Sequence, residues 1–262
     1  MIRPAKPKTA RAVHANAGLE AEYRRALDRL IGQMHRSLVY WLSAAYRANE
    51  PHMTADESPA MALRNAMRTL TRRWNKEFAK LAAEWGPRFV RGAAGHTDQA
   101  LAAALKKAGM TVSFRLTAPV NDIVQAAIGE NVSLIKSIGA EHLSEVEGIV
   151  MRAVQRGRDL GGLTQELERR YGITRRRAAG IAADQNNKCT AVITEARQTE
   201  LGIKEAIWMH SGGGKQPRPS HVAANGKRYE IGKGMLIDGE WIRPGEKINC
   251  RCVSRSVIPG FS

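Results

Sequence analysis

The chain has 262 residues, 43% of them hydrophobic, with 41 Lys/Arg against 25 Asp/Glu, a formal net charge of +16 and a pI near 10.3. That length can bury a sizeable core and suits two domains or one helical body with an appendage. Three cysteines exclude a disulfide scaffold, and no apolar run reaches the roughly 20 residues of a membrane span.

The excess positive charge calls for a polyanionic partner or an acidic protein surface. It is concentrated at the two ends. Residues 1–95 hold 17 Lys/Arg against 8 Asp/Glu, residues 140–206 hold 11 against 10, and residues 207–262 hold 9 against 4. Residues 1–18, basic and Pro-bearing at their start with no apolar run, read as a disordered arm without a signal peptide, which fits a protein kept in a reducing cytoplasm.

From Leu19 to Ala48 the apolar residues Leu19, Tyr23, Leu27, Leu30, Met34, Leu38, Trp41 and Ala45 recur at helical spacing. A second helix is expected from Ser58 as N-cap and Pro59 at the first helical position to a stop at Gly86–Pro87. Its apolar stripe is Leu63, Met67, Leu70, Trp74, Phe78, Leu81 and Trp85. Arg64, Arg68, Arg72, Lys76 and Lys80 follow at four-residue steps, each rotating by about 40°, so they form a slowly winding cationic ridge suited to phosphates or an acidic partner. A solvated helix face would give the same pattern.

Residues 88–109 suggest a weaker helix interrupted near Gly92 and Gly95, and Met110–Leu116 alternates as an edge strand or extended linker would. Pro119–Gly139 is a helix with Ile123, Ile128, Val132, Ile135 and Ile138 at apolar positions. Ala140–Arg158 follows with Leu143, Val146, Val150 and Val154. Gly161–Gly162 breaks the pattern, Thr164–Tyr171 is a short helix ended by Gly172, and Thr174 caps a long helix reaching Leu201–Gly202. Arg175, Arg176 and Arg177 then sit at a predicted helix amino terminus, against the helix dipole, which implies a phosphate or carboxylate partner.

From residue 206 the pattern becomes β-like. Ala206–Met209, Tyr229–Ile231, Met235–Ile237 and Glu240–Ile242 are strand-like pieces, and Asp238–Gly239 is a hairpin signal. Gly212–Lys215 lacks the spacing, the following Ser/Thr and the helix of a phosphate loop. The expected fold is mainly α, a long-helix body with a small carboxy-terminal β-rich module. Its segments are a basic arm (1–18), a basic helical region (19–118), a helical core (119–205) and the module (206–262).

The module gathers Trp208, Arg218-Pro219-Ser220-His221, Asn225-Gly226-Lys227, Pro244-Gly245 and Asn249-Cys250-Arg251-Cys252. Cys250, Cys252, His221 and His210 are zinc-type ligands. Structural zinc sites pair ligands two to four residues apart at both ends, whereas these histidines lie eleven apart and the cysteines two, so no metal is expected. A Cys250–Cys252 disulfide would be strained, because an extended chain holds their Cα atoms about 6.6 to 7 Å apart. The cysteines read as small reduced fillers. His221, Asn225, Asn249 and Cys250 invite comparison with a nuclease or a cysteine nucleophile. The nuclease would need a further metal ligand and a following helix, and the expectation is a non-enzymatic protein without cofactors.

Residues from about Asn131 onward resemble the phage Mu F-like family of minor head proteins, the head-morphogenesis family. The helical part of the resemblance lies in Leu134–Ile138, Gly162-Leu163-Thr164, Arg177–Gln185 and Gly202-Ile203 leading to Trp208. The module's part lies in Arg218–His221, Gly226-Lys227, Pro244-Gly245 and Asn249–Cys252. The resemblance implies a virion structural protein of a tailed phage or prophage, made in the host cytoplasm and placed at the head and portal. Its implied partners are portal protein, major capsid or scaffold protein, and double-stranded phage DNA. Some family members carry a Cys-x-x-Cys pair and a further His that, with the later Cys, look like a zinc site. Here Arg218 and His221 stand at the pair and Lys247 at that His.

Without a metal, the module residues read as fold-locking. Arg218 and Arg251 would grip carboxylates and His221 backbone carbonyls, Gly226 and Gly245 would permit turns, and Trp208, Lys227, Asn249, Cys250 and Cys252 would complete the set. An autonomous, sequence-tolerant DNA-binding protein is the alternative function.

Overall fold

The computed structural model describes residues 8–48, 59–155, 160–213 and 216–258. Residues 1–7 of the expected arm, the Ser58 cap and Gly214–Lys215 lie outside them. The elements in chain order are α1 (Ala17–Ala48), α2 (Pro59–Lys107), α3 (Ala118–Gln155), α4 (Leu160–Glu200), β1 (Glu205–Met209), α5 (Pro219–Ala223), β2 (Arg228–Glu230), β3 (Met235–Ile237), β4 (Glu240–Ile242) and β5 (Val253–Ser256). The protein is thus mainly α with a small carboxy-terminal antiparallel module, as the sequence led one to expect.

The helices are longer and fewer than the glycines and prolines suggested. Asn16 caps α1 by accepting from the backbone N–H groups of Gly18 (2.9 Å) and Leu19 (3.2 Å). The expected stop at Gly86–Pro87 does not occur, and α2 continues through Pro87 to Lys107. An interior proline costs about 3 kcal/mol. Apolar positions are buried on both sides of it, Phe78 and Ala82 before and Phe89, Val90 and Leu101 after, at about 1.5–3 kcal/mol for each large side chain. Burial therefore outweighs the break. The two helices expected over 119–158 are one, α3, and the pair expected over 164–201 is also one, α4. Leu201–Gly202 does end α4, where the Ile203 N–H returns to the Gln198 carbonyl at 2.9 Å.

The chain divides into two compact units. One unit comprises residues 1–20, 88–129 and 183–262, and the other residues 21–87 and 130–182.

The described residues of the second are all helical. Tyr23, Leu27, Ile31, Met34, Leu38 and Leu42 of α1 are buried, as are Leu63, Met67, Leu70, Trp74 and Phe78 of α2. The expected α1 stripe drifts off register at its end, since Trp41 is 50% exposed while Leu42 and Tyr46 turn inward. Helix α3 passes so close to Phe78 that a Cβ on Gly139 would lie 2.5 Å from its ring. Several polar groups in this core find partners: Tyr23 Oη donates to Asn131 Oδ1 at 3.3 Å, His35 stacks on Tyr171 with ring centroids 4.3 Å apart, and the buried His142 Nδ1 meets Thr174 Oγ1 at 2.8 Å.

The first unit carries the β module. Strand β1 is central in a β2-β1-β5 antiparallel sheet, with Ala206 opposite both Tyr229 and Ser256. Strands β3 and β4 form the hairpin foreseen at Asp238–Gly239, whose φ values of 53° and 81° suit a tight mirror-image turn. The sheet core, Trp208, Tyr229, Ile231, Ile237, Ile242, Cys250 and Cys252, is continuous with Leu101, Leu105 and Ala108 of α2. Met110, Val112 and Phe114 pack on it from an extended segment, so the alternating stretch is a linker and not a strand.

Residues 8–10 correct the expected disordered arm. Thr9 bridges Val257, the Ala10 N–H donates to the Ser256 carbonyl at 3.0 Å, and the Ile258 N–H donates to Lys8 at 2.9 Å. Ala10 and Val13 are buried.

Candidate functional site

The residues singled out in the module converge. Helix α5 turns His221 inward, where it is 3% exposed, and the segment leading into β5 brings Cys250 and Cys252 to it from the other side. His221 Nδ1 lies 3.5 Å from Cys250 Sγ and 3.7 Å from Cys252 Sγ. Trp208, fully buried on β1, meets the imidazole edge to face with centroids 5.3 Å apart. Alternation in an extended chain points both cysteines the same way. The element that reading lacked was α5, which sets the histidine opposite them.

Neighbouring contacts fix this geometry. Arg218 donates to the Ile248 carbonyl at 3.0 Å, so it grips backbone and not the expected carboxylate. His221 likewise faces sulfur where a carbonyl was expected. Asp184 of α4 accepts from the Asn249 N–H, and Asn249 takes φ 60°, which sets the direction in which Cys250 leaves the turn. Cys250 N–H donates to the Lys247 carbonyl at 2.9 Å. Gly226 (φ 81°) and Gly245 (φ 86°) both adopt left-handed turns; a Cβ on Gly245 would also lie 2.5 Å from Ala191 Cβ. Lys227 contributes its carbonyl to the Trp208 N–H at 2.9 Å, while its side chain is exposed, as is Arg251.

All three cysteines are buried, and none is joined in a disulfide. The S–H of Cys252 hydrogen-bonds the Cys250 sulfur, which holds Cys250 well below the ordinary thiol range and Cys252 above it. The two behave as one titrating pair. Beside them is a cavity of about 270 Å³ lined by His210, Arg218, His221, Cys250, Arg251 and Cys252, among others. His210 Nδ1 is occupied by the Gly212 N–H at 3.1 Å and does not join the cluster.

The basic residues are arranged differently. Arg64, Arg68, Arg72, Lys76 and Lys80 are all exposed along α2, with Lys80 bound to Glu77 at 2.8 Å. Arg175, Arg176 and Arg177 lie in the interior of α4, which removes the helix-terminus argument for an anion there. Arg175 pairs with Asp28 at 3.3 Å and Arg177 with Glu141 at 3.2 Å, so two of the three have acidic partners in their own unit.

Two buried polar residues of α4 that carry no sequence motif tie the helix to its neighbours. Arg197, only 3% exposed, grips Asp98 with two hydrogen bonds of 2.8 and 2.7 Å. It also reaches the Arg115 carbonyl (2.7 Å) and Glu200 (2.8 Å), and lies over the Phe114 ring. Gln198 donates to Ser254 Oγ at 3.0 Å and Ser256 Oγ at 2.8 Å, tying α4 to β5. A helical charge-and-amide pair at consecutive positions carries no motif.

Comparison with known proteins gives a match over the segment that holds this site. Residues 144–255 match the family described as Phage Mu protein F like protein, which bears out the resemblance seen in the sequence. An uncharacterized protein of Haemophilus influenzae is 33% identical over 152 residues, 57% of this chain and 32% of that protein. The chain thus spans about a third of the length of that relative. No solved structure matches.

Proposed function

We propose that this chain, whose residues 144–255 carry Mu F-like sequence, is a minor head protein of a tailed bacteriophage or prophage. In this reading it associates with the portal and the head interior and assists head assembly and DNA packaging or delivery. The supporting observation is the family match over the segment in which Arg218–His221 and Asn249–Cys252 fold together as one locked module.

The role is structural. A small appendage with a modest core must be anchored by specific contacts, and Gln198 and Asp184 supply them from α4. The +16 charge complements DNA or an acidic neighbour. No described helix is long and apolar enough to cross a membrane. Co-expression with the cognate portal protein tests the assignment: the two should co-purify, and a chain that elutes alone from portal and capsid proteins in every pairing would contradict it.

The five exposed cations of α2 favour a second reading, autonomous binding to duplex DNA. That reading requires binding by the isolated chain, weakening steeply with salt in proportion to the phosphates neutralised. Absence of binding at low salt would remove it.

A further inference from the structure

We propose that His221, Cys250 and Cys252 bind one zinc-type divalent ion, with the fourth coordination position turned to the adjoining cavity. The donor set is not the one suggested by other family members. It uses Cys252 and dispenses with ligands at positions 218 and 247, which are Arg and Lys here.

Geometry carries the argument. Zinc bonds of about 2.3 Å to sulfur and about 2.0–2.1 Å to nitrogen place neighbouring donors of a tetrahedral ion about 3.5 Å apart for nitrogen and sulfur. The observed separations from His221 Nδ1 are 3.5 Å to Cys250 Sγ and 3.7 Å to Cys252 Sγ, and all three donor atoms lie within 4.8 Å of one another. The donors therefore stand where such an ion needs them, with little movement of the backbone.

Donor chemistry agrees. Two thiolates and a neutral imidazole suit a borderline-soft ion and disfavour magnesium or calcium, which take oxygen. Two thiolates also balance a divalent charge, so the loaded cluster would be neutral in a site where all three residues are at most 4% exposed.

The ligands are also held before any ion arrives. His221 is packed against Trp208, Asn249 is fixed by Asp184, and Cys252 leads directly into β5. Such outer contacts orient ligands. On the cavity side, where the other walls include the exposed Arg218, Arg251 and Ser211, water or an anionic group would complete the coordination.

The site also accounts for a spacing that looked wrong in sequence. Local pairs two to four residues apart describe zinc held by a knuckle at each end. Here a single helical residue 29 and 31 positions before the cysteines closes the set.

The test is titration of the full-length, reduced, chelator-stripped protein with cobalt(II), followed by displacement with zinc(II). One cobalt per chain should bind with a thiolate-to-cobalt charge-transfer band and tetrahedral visible absorption, and zinc should abolish both. The doubly substituted Cys250→Ser, Cys252→Ser protein should lose the band and bind zinc more weakly by at least about 100-fold, exceeding the loss seen for outer contacts alone. His221→Cys, which restores a soft ligand, should keep the band where His221→Ala loses it. A folded, reduced parent protein that gives no thiolate band would overturn the assignment, as would serine variants that bind unchanged. If the serine variants do not fold, the parent titration and the His221→Cys spectrum still decide it. The outcome is independent of the virion role, because a head protein with or without the ion would still co-purify with portal.

Discussion

At the scale of single residues, Arg197 is the side chain that ties α4 to α2 and to the extended segment before α3. Its guanidinium is buried and satisfied by two carboxylates and a carbonyl. Removing it leaves the Asp98 and Glu200 carboxylates, 26% and 29% exposed, and the Arg115 carbonyl without their donor, at about 1–3 kcal/mol. Arg197→Ala should therefore lower the stability of the chain by an amount of that order in urea melts, and Arg197→Lys should recover less than half of it, because an ammonium cannot make the bidentate contact.

His142 gives a pH signature in the other unit. Burial first, then the positive fields of Arg170 and His35, hold its imidazole down to about 4 from 6.5. The folded state thus binds this proton less readily than the unfolded chain. Its effect on stability is absent above pH 6.5, and destabilisation grows as pH falls from 6.5 toward 4, reaching roughly 3 kcal/mol. Denaturation midpoints measured at pH 7 and pH 4.5 should fall, and His142→Gln should reduce that fall. Equal falls in both proteins would show that other groups carry the acid sensitivity.

At the scale of elements, close packing decides what the sequence pattern left open. Gly139 looks like the end of one helix and the start of the next. The structure uses it as a gap for the Phe78 ring within an unbroken α3. Gly139→Ala should destabilise by about 1–3 kcal/mol despite alanine's higher helix propensity, as overpacking does. A stabilised Gly139→Ala protein would mean that Phe78 yields without cost.

The same logic explains which features were legible. Stripes such as Leu63, Met67, Leu70, Trp74 and Phe78, and the Asp238–Gly239 hairpin, depend on local periodicity and turn chemistry, so they could be read directly. Pro87, Gly139 and Gly172 were read as breaks because local propensity favours one, while burial on both sides kept the helices whole. At the site, the fixed order of Arg218–His221 and Asn249–Cys252 was visible. What remained hidden was that a five-residue helix would set His221 opposite the two sulfurs, since that requires long-range packing against Trp208.

At the scale of the whole molecule, charge and family point the same way. An excess of 16 positive charges suits an environment crowded with phosphate, and residues 144–255 match Mu F-like proteins. Helix α2 carries an exposed cationic ridge and the module is a small locked fold, so in the proposed role partner binding and structural integrity would be supplied by different parts of the chain.

The measurement that tests the central claim most directly is quantitative mass spectrometry of purified phage particles, with the portal protein as internal standard. The account predicts that this chain is present in mature heads at a low, reproducible ratio to portal. Particles that are complete, infectious and devoid of it would contradict that claim.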